Sequence, residues 1–183
     1  MVSQDFIDKD STLVRDCKRE LPYRTTAFEK LVRTYEPIVF KTCRFLLNDP
    51  DDAEEVSQDV FMRVFHYLQK FDEKSTFRTW LYRIVRNCCY TRIKQKERNT
   101  IFNRDILSNS GSSNDELENV NALSDQMEEA LNKLTQDERE IITLRFISEL
   151  SLKEISETLG SKLSATKMRF YRALDKLKVE FKP

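Results

Sequence analysis

The residues best suited to chemistry lie in segment 75–98, STFRTWLYRIVRNCCYTRIKQKER, where cationic side chains alternate with aromatic and apolar ones. At about 100° per residue, a helix over this segment gathers polar side chains on one face. That face carries Thr79, Arg83, Arg86, Asn87, Tyr90 and Lys94. Cations attract phosphates, aromatic rings stack on exposed bases, and an amide both donates and accepts hydrogen bonds. The pattern favours contact with an opened nucleic acid strand, and a merely solvated basic helix is the alternative.

The opposite face of the same helix is apolar and must hold the polar face in position. Its members recur at the i, i+3, i+4, i+7 spacing of a buried stripe. They are Phe77, Trp80, Leu81, Ile84, Val85 and Cys88. The sequence therefore predicts an amphipathic helix packed on a core.

The composition of the whole chain is that of a helical protein. Only two glycines and four prolines occur among 183 residues, and 34% of the residues are charged. A sequence so poor in helix breakers favours an all-α fold. No apolar run approaches the roughly 18 residues of a membrane span. The N-terminal stretch MVSQDFIDKD is polar and acidic, unlike a signal peptide. We therefore expect a cytoplasmic protein without membrane insertion.

Residues suited to catalysis or metal binding are sparse. The four cysteines form no CxxC pair, and His66 is the only histidine. The sequence also lacks a glycine-rich phosphate loop, so we predict no enzyme, no metal site and no cofactor. Small buried hydrophobes are the expected role of the cysteines. They are Cys17, Cys43, Cys88 and Cys89.

Charge is strongly segregated along the chain, although the net charge is zero. Segment 48–59 holds six acidic residues and no base, whereas segment 73–98 carries +6 and segment 161–183 carries +5. One acidic patch and two basic ones predict a basic protein partner and an anionic polymer.

Helix signals organise residues 11–98 into a first domain. A short helix is expected over residues 11–20. Thr25 or Thr26 caps a second helix, with Glu29 at capping-box spacing from Thr26. Asp49 as N-cap and Pro50 at the first position begin a third helix that runs to about residue 70. Its predicted buried stripe is Val56, Val60, Val64, Tyr67, Leu68 and Phe71.

A row of carboxylates marks another face of this third helix. Asp51, Glu55 and Asp59 stand at i, i+4 and i+8, where like charges repel. An external cationic partner would relieve that repulsion. The alternative is that acids near a helix start complement its dipole, which explains Asp51 better than Asp59.

A flexible linker is predicted over residues 99–121, which are rich in Asn, Ser and Asp. Residues 122–183 then form a second helical domain. Thr135 with Glu138 and Ser151 with Glu154 are capping boxes. Gly160 is placed for a left-handed helix end.

The end of this second domain predicts a helix-turn-helix. A short helix, a tight turn and a basic last helix over residues 165–180, capped by Ser164, give that order of elements. An ordinary helical hairpin is the alternative. The outward face of the last helix carries Ala165, Met168, Arg169, Arg172 and Lys176.

Two segments together resemble one protein family, the extracytoplasmic-function sigma factors of RNA polymerase. AEEVSQDVFMRVFHYL followed by FDEKSTFRTWLYRIVRN resembles their core-binding and promoter-melting region. LTQDEREIITLRF followed by LSLKEISETLGSKLSATKMRFYRALDKLK resembles their C-terminal helix-turn-helix domain. The resemblance implies a non-enzymatic initiation factor that binds core polymerase and promoter DNA. By analogy it also implies an anti-sigma factor as a partner.

The resemblance assigns roles by position. The β′ clamp of core polymerase would meet Asp51, Glu55, Gln58 and Asp59, and the β flap would meet residues 135–146. The minus-ten element would meet Phe71, Phe77, Arg83, Arg86, Asn87, Tyr90 and Lys94, with Asn87 reading a base. The minus-thirty-five element would meet Ser164, Ala165, Lys167, Met168, Arg169 and Arg172. Trp80 would be structural.

The sequence departs from the family pattern at several of these positions. Thr91 stands where Asp is usual, Lys94 where Arg is usual, and Met168 where Ser is common. These differences leave the promoter sequence open. The rival hypothesis is a DNA-binding regulator that uses only its C-terminal domain and is not a polymerase subunit.

Overall fold

Helices account for the regular secondary structure throughout residues 10–106 and 133–180, which the computed structural model describes. Those two ranges form seven α-helices and one 3-10 turn and contain no strand, so the predicted all-α fold is confirmed. The helices are α1 (Ser11–Glu20), α2 (Thr26–Leu47), α3 (Pro50–Tyr67), α4 (Phe77–Ile106), α5 (Gln136–Phe146), α6 (Leu152–Leu159) and α7 (Leu163–Glu180), and the 3-10 turn is Leu68–Lys70.

The first four helices share a core made of the stripes that periodicity predicted. Helix α3 begins where expected, because Asp49 accepts a hydrogen bond from the Asp52 amide at 3.0 Å and Pro50 follows it. Helix α2 is continuous through Pro37. The α4 stripe packs into the same core, where Phe77, Leu81 and Val85 are almost fully buried.

One local prediction in this half is resolved and two are wrong. Of the two candidate caps of α2, Thr25 occupies the N-cap position, but its hydroxyl donates to the Glu29 carboxylate and makes no capping hydrogen bond. Tyr67 is 52% exposed, with Lys70 over its ring, so it does not belong to the buried stripe. Helix α4 continues to Ile106, so residues 99–106, predicted as linker, are helical. Residues 107–121 lie outside the described residues.

Helices α5 to α7 follow the predicted capping signals closely. Both capping boxes are present, at Thr135 and at Ser151, and Gly160 adopts φ 63° at the end of α6. The last helix begins at Leu163, so Ser164 lies inside its first turn instead of capping it. The predicted helix over residues 122–134 falls almost wholly outside the described residues.

The two halves pack against each other, which the sequence did not predict. Helix α5 contacts α2, and α6 contacts α4. At their junction the Thr42 and Ser148 hydroxyls lie 3.0 Å apart, and both side chains are fully buried. The C-terminal helices therefore lie directly over part of α4.

All four cysteines are free thiols in the interior. Burial raises the pKa of both Cys17 and Cys88 to about 11, which makes these thiols unreactive at neutral pH. The Cys43 and Cys89 sulfurs lie 3.8 Å apart, a pairing that the sequence did not reveal.

Within the described ranges, the longer helices are too polar to span a lipid bilayer.

Candidate nucleic-acid interface

Helix α4 is fixed at its start by a hydroxyl and by aromatic packing. The Thr76 side chain accepts a hydrogen bond from the Thr79 amide at 3.1 Å. Phe77 then packs edge-on against Tyr35 and close to Trp80, with ring centroids 5.4 and 5.8 Å away. These contacts set the rotation of α4 about its axis and thereby the direction in which its polar face points.

Phe71 and Phe77 do not lie on that polar face. Their side chains are only 5% and 1% exposed, in the cluster that also contains Trp80. A base cannot stack on a ring that is covered on both sides, which corrects the assignment of these two residues to minus-ten contact. Lys18 holds the segment between them by donating to the Phe71 carbonyl at 2.6 Å and to the Glu73 carboxylate at 2.9 Å.

Asn87, Tyr90 and Lys94 form the exposed part of the α4 face. The Tyr90 ring is 49% exposed and lies between two cations, with Lys94 Nζ 4.6 Å and the Arg86 guanidinium carbon 6.0 Å from its centroid. A flat ring flanked by positive charge can stack on an unpaired base while the cations attract its phosphates. Thr79, predicted on this face, is instead fully buried.

Three arginines of α4 are engaged by the C-terminal helices. Arg78 donates to the Ser148 carbonyl at 2.6 Å, and Arg83 donates to the Glu157 carbonyl at 3.1 Å. Arg86 pairs with the Glu140 carboxylate at 2.8 Å. The part of the basic face nearest the start of α4 is therefore covered.

Glu140 is largely enclosed by this contact. Its side chain is 15% exposed, and burial raises its pKa even though Arg86 acts in the opposite direction. Burial therefore destabilises the charged carboxylate by more than the ion pair with Arg86 stabilises it. Cys89, Tyr90, Gln136 and Asp137 line the narrow cleft beside it.

The acidic residues of α3 form a separate exposed surface. Asp51, Glu55, Gln58 and Asp59 are all solvent-exposed. Glu55 is 64% exposed and pairs with Arg92 of α4, so the row of like charges is partly neutralised within the chain. Asp49 and Asp52 pair with Lys96 from the same helix.

The basic face of α7 is turned to solvent. Ser164, Lys167, Met168, Arg169 and Arg172 are exposed, and Ala165 is half-buried. The opposite side of α7 enters the core through Thr166, Phe170, Ala173 and Leu177. The helix is therefore positioned to insert its cationic side into a groove of duplex DNA.

Known protein families match both halves of the chain. The Sigma-70 region 2 family matches residues 31–99, and the Sigma-70 region 4 family matches residues 124–177. The extracytoplasmic-function RNA polymerase sigma factor SigW of Bacillus subtilis is 27% identical over 168 residues, or 85% of this chain and 89% of SigW. The sigma factor CnrH of Cupriavidus metallidurans is 30% identical over 161 residues, or 82% of this chain and 84% of CnrH.

The chain belongs to the extracytoplasmic-function sigma factors of RNA polymerase. Solved structures of other sigma factors share its fold. CnrH in complex with the cytosolic domain of CnrY superposes with a TM-score of 0.69 over 93% of this chain and 95% of CnrH, at 25% identity. RpoE of Bartonella quintana in complex with the anti-sigma factor NepR gives a TM-score of 0.70 over 84% of this chain and 95% of RpoE, at 25% identity.

The family match also decides between the two functional hypotheses. A regulator that uses only a helix-turn-helix needs no region 2, yet region 2 accounts for the match to α2, α3 and most of α4. The sigma factor hypothesis is therefore confirmed, and the regulator is not favoured.

The sequence pattern did not identify two residues near the candidate interface of this sigma factor. Arg78, Tyr82 and Arg86 follow one another at intervals of four residues, so all three lie on one face of α4. Tyr82 is fully buried beside the Thr42 and Ser148 hydroxyls, and burial raises its pKa to about 12. The i, i+4, i+8 spacing was the available signal, but the partners from the C-terminal half that cover this face lie at least 54 residues away in sequence.

Proposed function

We propose that this sigma factor directs core RNA polymerase to one class of promoters through three separate surfaces. The acidic face of α3 binds the polymerase, the polar face of α4 holds the opened minus-ten strand, and α7 reads the minus-thirty-five duplex. The observation that carries this proposal is the presence of two exposed cationic faces, one in each matched region, together with an exposed acidic face that precedes both in sequence.

The α4 face has the chemistry to hold an unpaired strand. Tyr90 offers a stacking surface flanked by Arg86 and Lys94, and Asn87 next to it offers both a donor and an acceptor. Asn87 therefore reads one base, whereas the cations bind the backbone without regard to sequence.

The α7 face has the chemistry of duplex recognition. Arg169 and Arg172 are exposed on one side, together with Ser164 and Lys167. Arginine forms paired hydrogen bonds with guanine in the major groove, and Met168 offers an apolar contact to a thymine methyl group.

The α3 face is the surface that we assign to core polymerase. Asp51, Glu55, Gln58 and Asp59 are exposed on one side of the helix, where they can meet a cationic partner. The Arg92 contact to Glu55 would then exchange for a contact with the polymerase. By the same assignment, the exposed surface of α5 meets the β flap.

Two further parts of the function follow from the relatives. CnrH and RpoE were solved in complex with CnrY and with the anti-sigma factor NepR, so we infer that an anti-sigma factor also binds this chain. Because core polymerase is its partner, we infer that the protein acts in the cytoplasm as an initiation factor and not as an enzyme.

A competition assay with core polymerase tests the α3 assignment. The paired reversal Glu55→Lys and Asp59→Lys should weaken core binding, by an amount that shrinks as salt is raised. Glu36→Lys is the matched control, because Glu36 is an exposed acid on α2 outside this face. Equal binding by the reversed pair and by the control would refute the assignment.

A further inference from the structure

We propose that Arg92 of α4 competes with core polymerase for the carboxylates of the α3 face and thereby sets how tightly that face binds a cationic surface. Its guanidinium already pairs with Glu55, one of the groups that the face offers to the polymerase. This role rests on the assignment of the α3 face to core polymerase and adds a residue that regulates the contact.

The Arg92 guanidinium joins a largely buried carboxylate to an exposed one. Its Nη1 lies 3.6 Å from Asp52, whose side chain is 11% exposed. Its Nη2 pairs with Glu55, whose side chain is 64% exposed, whereas the Arg92 side chain itself is only 22% exposed. A guanidinium is planar and presents its donors at fixed angles, so one edge can be held inside while the other reaches the surface. Arg92 is therefore a fixed positive charge at the edge of the α3 face.

The position of Arg92 around α4 separates it from the strand-binding face. At about 100° per residue, Arg92 lies roughly 140° from Asn87 and about 160° from Tyr90 and Lys94. Lys96 follows Arg92 by four residues and also pairs with carboxylates of α3. The positive charge of Arg92 therefore acts on α3 and is not part of the surface that we assign to DNA.

Lys96 neutralises the inner carboxylates without help from Arg92. Its Nζ lies 2.6 Å from Asp49 and 2.5 Å from Asp52. Asp52 therefore keeps a cationic partner when Arg92 is removed. The contact with Glu55 is exposed to water at one end, so it adds little to the stability of the fold. Its main effect falls on what Glu55 can bind.

A partner that binds Glu55 must displace Arg92 or share the carboxylate with it. The hydrogen bond to Glu55 and the nearby charge of Asp52 raise the pKa of Arg92, so this competitor stays charged. The charge of Asp59 acts in the same direction, which places Arg92 within electrostatic reach of two carboxylates of the face. A single cation gains little by replacing Arg92, whereas a surface that carries several cations also reaches Asp51. Arg92 thus disfavours weakly cationic partners.

The neutral variant Arg92→Gln tests this role in the full-length protein. A competition assay measures its affinity for core polymerase, and fluorescence anisotropy measures its affinity for a fluorescein-labelled oligolysine peptide. Both affinities should rise about threefold at low salt, the scale of an exposed ion pair, and the gain should shrink as salt is raised. Urea unfolding followed by Trp80 fluorescence verifies that the variant is folded.

Lys96→Gln is the matched control for net charge. It removes one positive charge from the same helix, but Lys96 pairs with Asp49 and Asp52, which lie outside the set assigned to core polymerase. Its affinity for core polymerase should stay at the wild-type value. In a Glu55→Gln background, Arg92→Gln should lose most of its gain for both ligands, because the carboxylate that it frees is absent.

The outcomes separate this role from the function on which it rests. If the paired reversal Glu55→Lys and Asp59→Lys weakens core binding but Arg92→Gln changes neither affinity, the competitor alone is overturned. Equal gains from Lys96→Gln, or weaker core binding by Arg92→Gln, would also overturn it, since net charge or positioning of Glu55 would then be the cause. Tighter peptide binding without tighter core binding, together with an ineffective paired reversal, would overturn the assignment of α3 to core polymerase itself.

Discussion

Replacing Phe77 with alanine distinguishes a core residue from a base-contacting one. The ring is 1% exposed and packs near Tyr35, Phe71 and Trp80, with centroids 5.4 to 6.2 Å away. Burying such a side chain contributes about 1.5–3 kcal/mol, and each aromatic pair adds about 0.5–1.5 kcal/mol. With the cavity left behind, Phe77→Ala should lower the free energy of unfolding by about 3–5 kcal/mol.

The protein carries its own probe for this measurement. Trp80 is the only tryptophan, and its ring lies 5.1 Å from Phe71 in the same cluster, so its fluorescence during urea unfolding reports on the N-terminal half. Phe77→Leu keeps most of the volume and should cost less than about 1.5 kcal/mol. If Phe77→Ala unfolds within about 1 kcal/mol of wild type but loses strand binding, the burial argument is wrong and the ring contacts DNA.

Three further predictions follow from single residues. Asp49→Ala should cost about 1 kcal/mol in urea unfolding because it removes the α3 cap. The Asp52 amide and Lys96 lower the pKa of Asp49 below its ordinary value of 3.8. The contribution of Asp49 to stability is therefore complete above that ordinary value and is lost as the pH falls through the lowered pKa. There, the wild-type protein and the variant should become equally stable. Gly160→Ala should cost about 1–2 kcal/mol in thermal unfolding followed by circular dichroism, because φ is 63° and alanine is strained there. An unchanged melting temperature would contradict that reading. Asn87→Ala should relax preference at one minus-ten base by about 1–3 kcal/mol in oligonucleotide competition, and intact preference would make Asn87 structural.

Local chemistry in the sequence was enough to predict the helices and most of their ends. Asp49 followed by Pro50, the two capping boxes and Gly160 act through neighbouring backbone groups, so their effects are readable within a few residues. The i, i+3, i+4 spacing likewise placed Phe77 in the core. Where that spacing and the family resemblance disagreed over Phe77, the spacing was correct.

Long-range contacts explain what the sequence did not reveal. Thr42 and Ser148 are 106 residues apart, and nothing in either neighbourhood indicates that they meet. Glu55 pairs with Arg92 from another helix, although no base lies near it in sequence. Tyr67 matched an apolar period, yet its amphipathic ring packs beneath Lys70 at the surface. Periodicity assigns faces to helices but does not determine which faces meet.

Run-off transcription with purified core RNA polymerase tests the central claim most directly. On a library of genomic promoter fragments, core polymerase should start at discrete sites when this protein is present and not without it. Asn87→Ala should change which fragments are used, whereas the paired reversal Glu55→Lys and Asp59→Lys should reduce initiation on all of them. Tight, selective duplex binding by the protein alone, with no transcript from core polymerase, would contradict the account.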